Sequence, residues 1–149
     1  MIKCDAIVQD KRWRSYSILK HYFKSRIKKI NKHNLFKKNN YEFSVLLSNN
    51  KHTRKLNQKF RKKNKSSDVL SFPNFSKIKH KKNFSKLNTY LGDIVISYEK
   101  ILKKDFTSHL DKLWIHGLLH LLGHSHKSEK NYKKMQKLEN ALYKLIYDI

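Results

Sequence analysis

Apolar residues alternate at Ile2, Cys4, Ala6 and Val8, the period of a strand with one buried face. Asp10 is placed to cap a helix whose apolar stripe runs Tyr16, Leu19, Phe23, Ile27 and Ile30. The polar stretch 31–40 reads as a loop, and alternation resumes at Tyr41, Phe43, Val45 and Leu47 as a second strand. Asn49 or Asn50 can cap a short helix that buries Leu56 and Phe60. Residues 69–72 predict a third strand, stopped at Pro73 because proline cannot donate to a ladder. Residues 74–88 carry five lysines and little period, a solvated connection, before a fourth strand over 90–97. Three helices follow: 98–106, then one from Thr107 or Ser108 to Gly123, then one from near Ser128. The last carries Tyr132, Met135, Leu138, Leu142 and Leu145 on one face. The order β-α-β-α-β-β-α-α-α predicts a single α+β domain across 1–149, a mixed four-stranded sheet flanked by about five helices.

Composition narrows the setting. A chain of 149 residues can bury a core without staples, and one cysteine, Cys4, excludes a disulfide framework and fits a reducing cytosol. No apolar run approaches the roughly 18 residues of a membrane span. Met1 to Asp5 lacks the apolar segment of a signal peptide. The expectation is a cytoplasmic protein with no membrane partner. Lys and Arg outnumber Asp and Glu by 35 to 11, for a net charge of +24. That excess rests on 30 Lys against 5 Arg, beside 13 Asn and 12 Ile. These three abundant residues share A/T-rich codons, so base composition alone can raise the charge. It points to a polyanionic partner without establishing one.

The chemistry concentrates in the histidines, five of which lie between residues 109 and 126. His116 and His120 are four apart, so on a helix their imidazoles project from one face, one turn above the other. Gly123 can end that helix in the left-handed conformation, and His126 follows as a third ligand. His124 is the alternative third ligand, disfavoured because it lies too close to the turn. This is the ligand spacing of the metzincin metalloproteases, in which Glu follows the first His as general base. Here Gly117 takes that position, so the metal geometry is kept and the peptidase base is missing. Three His ligands with an open fourth position form a catalytic arrangement, with zinc the expected ion, one per chain. Three imidazoles also suit nickel, copper or iron.

The run His116-Gly117-x-Leu119-His120-Leu121-x-Gly123-x-x-His126 resembles the signature of the YbeY family of bacterial endoribonucleases. Leu56-Asn57-x-x-Phe60-Arg61 with Asp68-Val69-Leu70-Ser71-Phe72-Pro73 is similar to that family's central block. Leu91 to Ile96 resembles its next strand, and His109 and Met135-x-x-Leu138-Glu139 fall at family-like spacings. The likeness runs from Leu56 onward; the first third matches only in its pattern of elements.

The resemblance implies a mixed sheet flanked by helices, with a three-His metal site at the mouth of a basic channel. It implies single-strand endoribonuclease activity in late ribosomal RNA processing, at the 16S 3′ end, and in ribosome quality control. The implied partners are ribosomal RNA, the small ribosomal subunit and ribosome-assembly proteins. Arg61 matches the family's functional arginine, where a planar guanidinium can hold a phosphate through paired hydrogen bonds. Two departures stand out: Ser125 where the family has aspartate, and Asn64, Ser66 and Ser67 where it has Asp, Pro and Thr. Two other readings compete, a metallopeptidase using the same ligand spacing and a non-catalytic ribosome-binding factor with structural zinc.

Overall fold

The two strands with the densest apolar runs take the centre of the sheet. The computed structural model describes residues 1–15, 19–74 and 88–149. β2 (Tyr41–Ser48) and β4 (Thr89–Ser97) lie side by side, with β1 (Ile2–Val8) and β3 (Val69–Pro73) on the edges, in the order β1-β2-β4-β3. β1 and β4 both run parallel to β2, whereas β3 pairs antiparallel with β4, Ser71 opposite Ile94 and Pro73 opposite Gly92. Central strands covered on both faces read as near-continuous apolar runs, as Leu91, Ile94, Val95 and Ile96 do here. Pro73 sits at the end of an edge strand, where its missing N–H costs no ladder bond.

Among the described residues four helices complete an α+β fold: α1 (Leu19–Ile30), α2 (Asn50–Arg61), α3 (Phe106–Leu121) and α4 (Glu129–Tyr147). The expected stripe of α1 is buried at Leu19, Phe23, Ile27 and Ile30; Tyr16 lies outside the described residues. Of the connection at 74–88, residues 75–87 lie outside them as well. Among the described residues no helix is long and apolar enough to cross a membrane.

Three details depart from the sequence reading. The helix expected over 98–106 is a single 3-10 turn, Tyr98–Lys100, followed by extended backbone at Ile101. Its apolar residues belong to other contacts: Tyr98 and Phe106 meet Trp13 edge-on at 5.4 and 5.7 Å, and Ile101 is buried in the core. Asp10 caps a 3-10 turn at Lys11–Ser15, accepting from the Arg12 amide at 3.0 Å. The Arg12 guanidinium beside it holds its carboxyl well below the ordinary carboxylate range. Phe60 is 58% exposed, and α2 instead buries Thr53 and Asn57. Each is bonded within the fold, Thr53 Oγ1 with Ser97 Oγ at 2.8 Å and Asn57 Nδ2 donating to the Lys65 carbonyl at 2.8 Å, while Asn57 Oδ1 is buried without a partner among the described residues. An apolar stripe cannot reveal a helix docked through polar side chains. Asn49 is the cap of α2, accepting from the His52 amide at 2.9 Å.

Asp111, fully buried on α3, joins three helices. Its carboxylate accepts from Tyr22, from Arg26 Nε at 3.1 Å, from Trp114 Nε1 at 3.0 Å and from Tyr147 OH at 2.7 Å. A buried carboxylate is tolerable only with such a complete set of donors. Removing it strands Arg26 and two phenols, so Asp111→Ala is expected to cost about 3–5 kcal/mol, read as a lowered urea midpoint. The same cluster sets the alkaline limit. Burial, then the Asp111 charge, pushes Tyr22 far above the ordinary phenol range; burial and hydrogen bonding to Asp111 also raise Tyr147. A raised folded-state pKa means the unfolded chain loses these protons first. Stability is therefore complete below about pH 10 and falls as the pH rises beyond it. Thermal melts between pH 8 and 11 should show the fall, and Tyr22→Phe should flatten it.

Candidate metal centre

α3 carries the first two histidines, and its seat on the sheet depends on a glycine. A Cβ at Gly117 would lie 2.9 Å from Ile94 Cγ2 and 3.1 Å from Ser71 Oγ, so only glycine lets the helix approach β3 and β4 this closely. The Ser71 hydroxyl donates to the Gly117 carbonyl at 3.3 Å across that contact. Burial of Leu113, Trp114, Leu118 and Leu121 fixes the rotation of α3 and leaves His116 and His120 half-buried at its edge. The helix then ends in a Schellman motif: His124 N–H donates to Leu119 O, Gly123 N–H to His120 O, both at 3.0 Å, and Gly123 takes φ +93°. This reversal brings His126 back to the other two.

The structure gathers His116, His120 and His126, with one nitrogen from each within 4.8 Å of the others. His116 Nε2 and His120 Nε2 are 3.0 Å apart. Zinc at about 2.0–2.1 Å from tetrahedral nitrogens needs N···N separations of about 3.3 Å. The remaining ring nitrogens are held from behind. His116 Nδ1 meets Glu139 Oε1 at 2.6 Å, and His120 Nδ1 meets the His124 carbonyl at 3.0 Å. A carboxylate and a carbonyl are acceptors, so each Nδ1 carries the proton and each Nε2 turns a lone pair toward the other. Two lone pairs at this distance repel, and a cation between them removes the conflict. Burial, and then the nearby His116 charge, lowers the pKa of His120 and favours the neutral, ligating imidazole. The donor set therefore fits a divalent transition metal.

His124 lends its carbonyl to His120 and stays outside the cluster. His109 is also apart, its Nδ1 accepting from the Leu102 amide at 3.0 Å. Arg61, the last residue of α2, shares with the three histidines, Asp68 and Ser71 a cavity of about 470 Å³. Ser125 lines the same cavity, where a carboxylate would have added negative charge. Size does not locate this site. A roomier cavity of about 660 Å³ lies between β1 and α1, lined mostly by apolar residues such as Ala6, Phe23 and Ile27 and outside the three-histidine cluster. Glu139 was visible in the sequence only as part of a spacing. The available signal was a carboxylate in register with Met135 and Leu142 on the inward face of α4.

A family model described as endoribonuclease YbeY matches residues 7–146. The chain belongs to the YbeY family. The match extends well upstream of Leu56, across the third of the chain where only the pattern of elements was similar. The endoribonuclease YbeY of Pelagibacter ubique is 43% identical, the alignment covering 98% of this chain and 97% of that protein. That of Bartonella henselae is 32% identical over 95% and 91%. A Thermotoga maritima protein of known solution structure, 21% identical, superposes with a TM-score of 0.57 over 98% of this chain and 90% of that one. It shares the fold seen here.

Glu139 holds His116 from behind, so if the cluster takes up a divalent transition metal, Glu139→Gln is expected to weaken its binding by about 10- to 100-fold, with zinc as the probe. Competition against a chromophoric chelator at pH 7 measures this directly, and an unchanged affinity would remove the role assigned to Glu139.

Proposed function

We propose that this chain is a metal-dependent endoribonuclease that cuts single-stranded ribosomal RNA. The observation that supports it best is the convergence of three imidazole nitrogens and Arg61 on one open cavity, in a chain of the YbeY family. His116, His120 and His126 hold the metal, taken to be zinc, and leave a coordination position free for substrate. When bound, such an ion supplies Lewis acidity at a phosphoryl oxygen. Arg61 grips the phosphate through its planar fork and offsets charge that builds on it. Lysines near it, among them Lys63 and Lys65, follow the RNA backbone. In the cell the substrate is small-subunit ribosomal RNA late in maturation, at the 16S 3′ end, and the work extends to ribosome quality control. The enzyme acts in the cytoplasm beside ribosome-assembly proteins.

The peptidase reading loses ground at Gly117. Where a metzincin carries its glutamate, this fold has Ile94 and Ser71 pressed against the helix, with no space for a side chain. The structural-zinc reading requires a closed four-ligand site, whereas these three ligands face a cavity and His126 is exposed.

Zinc-loaded protein should cleave unstructured RNA and leave unfolded protein intact. His116→Ala should abolish cleavage and Arg61→Ala should reduce it about 100-fold. Cleavage that survives both His116→Ala and a chelator would sink the metal mechanism, and wild-type rates from Arg61→Ala would release that residue from its role.

A further inference from the structure

The ligand cavity has two neighbours, and their chemistries differ. On one side it shares Arg61 and Asp68 with a hollow of about 470 Å³ that Lys63, Lys65 and Lys100 also wall, a surface for phosphodiesters. On the other it shares His116, Asp68 and Val69 with a larger cavity of about 620 Å³. That second cavity is lined by Asp68 and Glu139, by Val69 and Leu113, and by Tyr143, with Lys112 Nζ 5.7 Å from the centroid of the tyrosine ring. Two carboxylates against the single ammonium of Lys112 make this cavity a poorer seat for a phosphate than the hollow with three lysines and Arg61. A flat, partly apolar group with hydrogen-bond donors on its rim meets no such penalty.

Resting on the ribonuclease reading above, we propose that this second cavity receives the base beside the scissile phosphate and selects bases that carry an exocyclic amino group. Asp68 is the selecting group. One of its oxygens accepts from the Val69 amide at 2.8 Å, which holds the carboxylate at the junction of all three cavities. Carboxylates accept from base amino groups, which adenine, cytosine and guanine have. Uracil offers none and would set carbonyl oxygens against the charge. Asn140, exposed on the same wall, supplies both a donor and an acceptor for the rest of the base edge. The surrounding side chains are held in advance. Tyr143 OH and Ser108 Oγ are 2.8 Å apart, and the amide accepted at His109 Nδ1 leaves the proton of the neutral ring on Nε2. The strand thus runs from a cationic hollow, past the histidines, into a base pocket.

The test uses fluorescein-labelled 2′-O-methyl pentauridine in which A, C, G or U replaces each position in turn, titrated against zinc-loaded protein by anisotropy. One position should bind U about tenfold more weakly than the amino-bearing bases. Asp68→Asn, which keeps the oxygen that accepts from Val69, should shrink that ratio to under about twofold, and Asn140→Ala should lower it in part. Urea midpoints confirm that both variants fold. A wild type without base preference at any position overturns the proposal, as does a ratio unchanged in both variants. Cleavage of the matching RNA pentamers separates the two readings. Cutting without base preference sinks the pocket alone; base-selective binding without cutting supports the pocket and sinks the ribonuclease reading.

Discussion

The contact between Gly117 and Ile94 sets the height of α3 above the sheet, and the functional face of the protein follows from it. With no Cβ between them, helix and strand approach until the glycine's backbone meets the Ser71 hydroxyl. Six residues earlier on the same helix, Asp111 fixes the opposite side through donors from α1 and α4. One anchor sets distance and the other sets rotation. Between them His116 and His120 have little freedom, which a metal centre needs if ligand geometry is to be decided before the ion arrives.

Much of this could be read from the order of residues. The four strands follow from period-two alternation or short apolar runs because each has at least one buried face, and the histidine spacing implied one helix face. Elements whose apolar residues are spent on distant contacts were harder to read. Tyr98, Ile101 and Phe106 look like a helical stripe, yet they pack against Trp13 and the core from a 3-10 turn, an extended segment and the start of α3. α2 misleads in the opposite way, burying Thr53 and Asn57 because their partners, Ser97 and the Lys65 carbonyl, come from other segments. At the site, Glu139 carries no local mark of its task. Its bond to His116 spans 23 residues and exists only once α4 packs on α3.

The bulk charge of +24 takes on a more local meaning in the structure. Cations cover the chain broadly, but around the histidine cavity one flank carries Arg61 and three lysines against Asp68, and the other carries Asp68 and Glu139 against Lys112. Overall charge attracts a polyanion from a distance and brings it to the surface in any orientation. An asymmetric cleft discriminates between orientations, since the backbone is drawn to one side and repelled from the other. Sign changes over a few residues carry more information here than the total.

The Schellman turn at Gly123 has a thermodynamic consequence. Nothing lies within 4 Å of where a Cβ would be, so the glycine is there for its left-handed backbone and not for want of space. His116 and His120 ride on a rigid helix and His126 hangs from a tether of two residues past that turn. Were an ion to meet the first pair, capture by His126 would be an intramolecular step at high effective concentration. The exposed third imidazole would then be able to leave and return without disturbing the other two, a hemilabile chelate in which residence of the ion would be governed by one short loop.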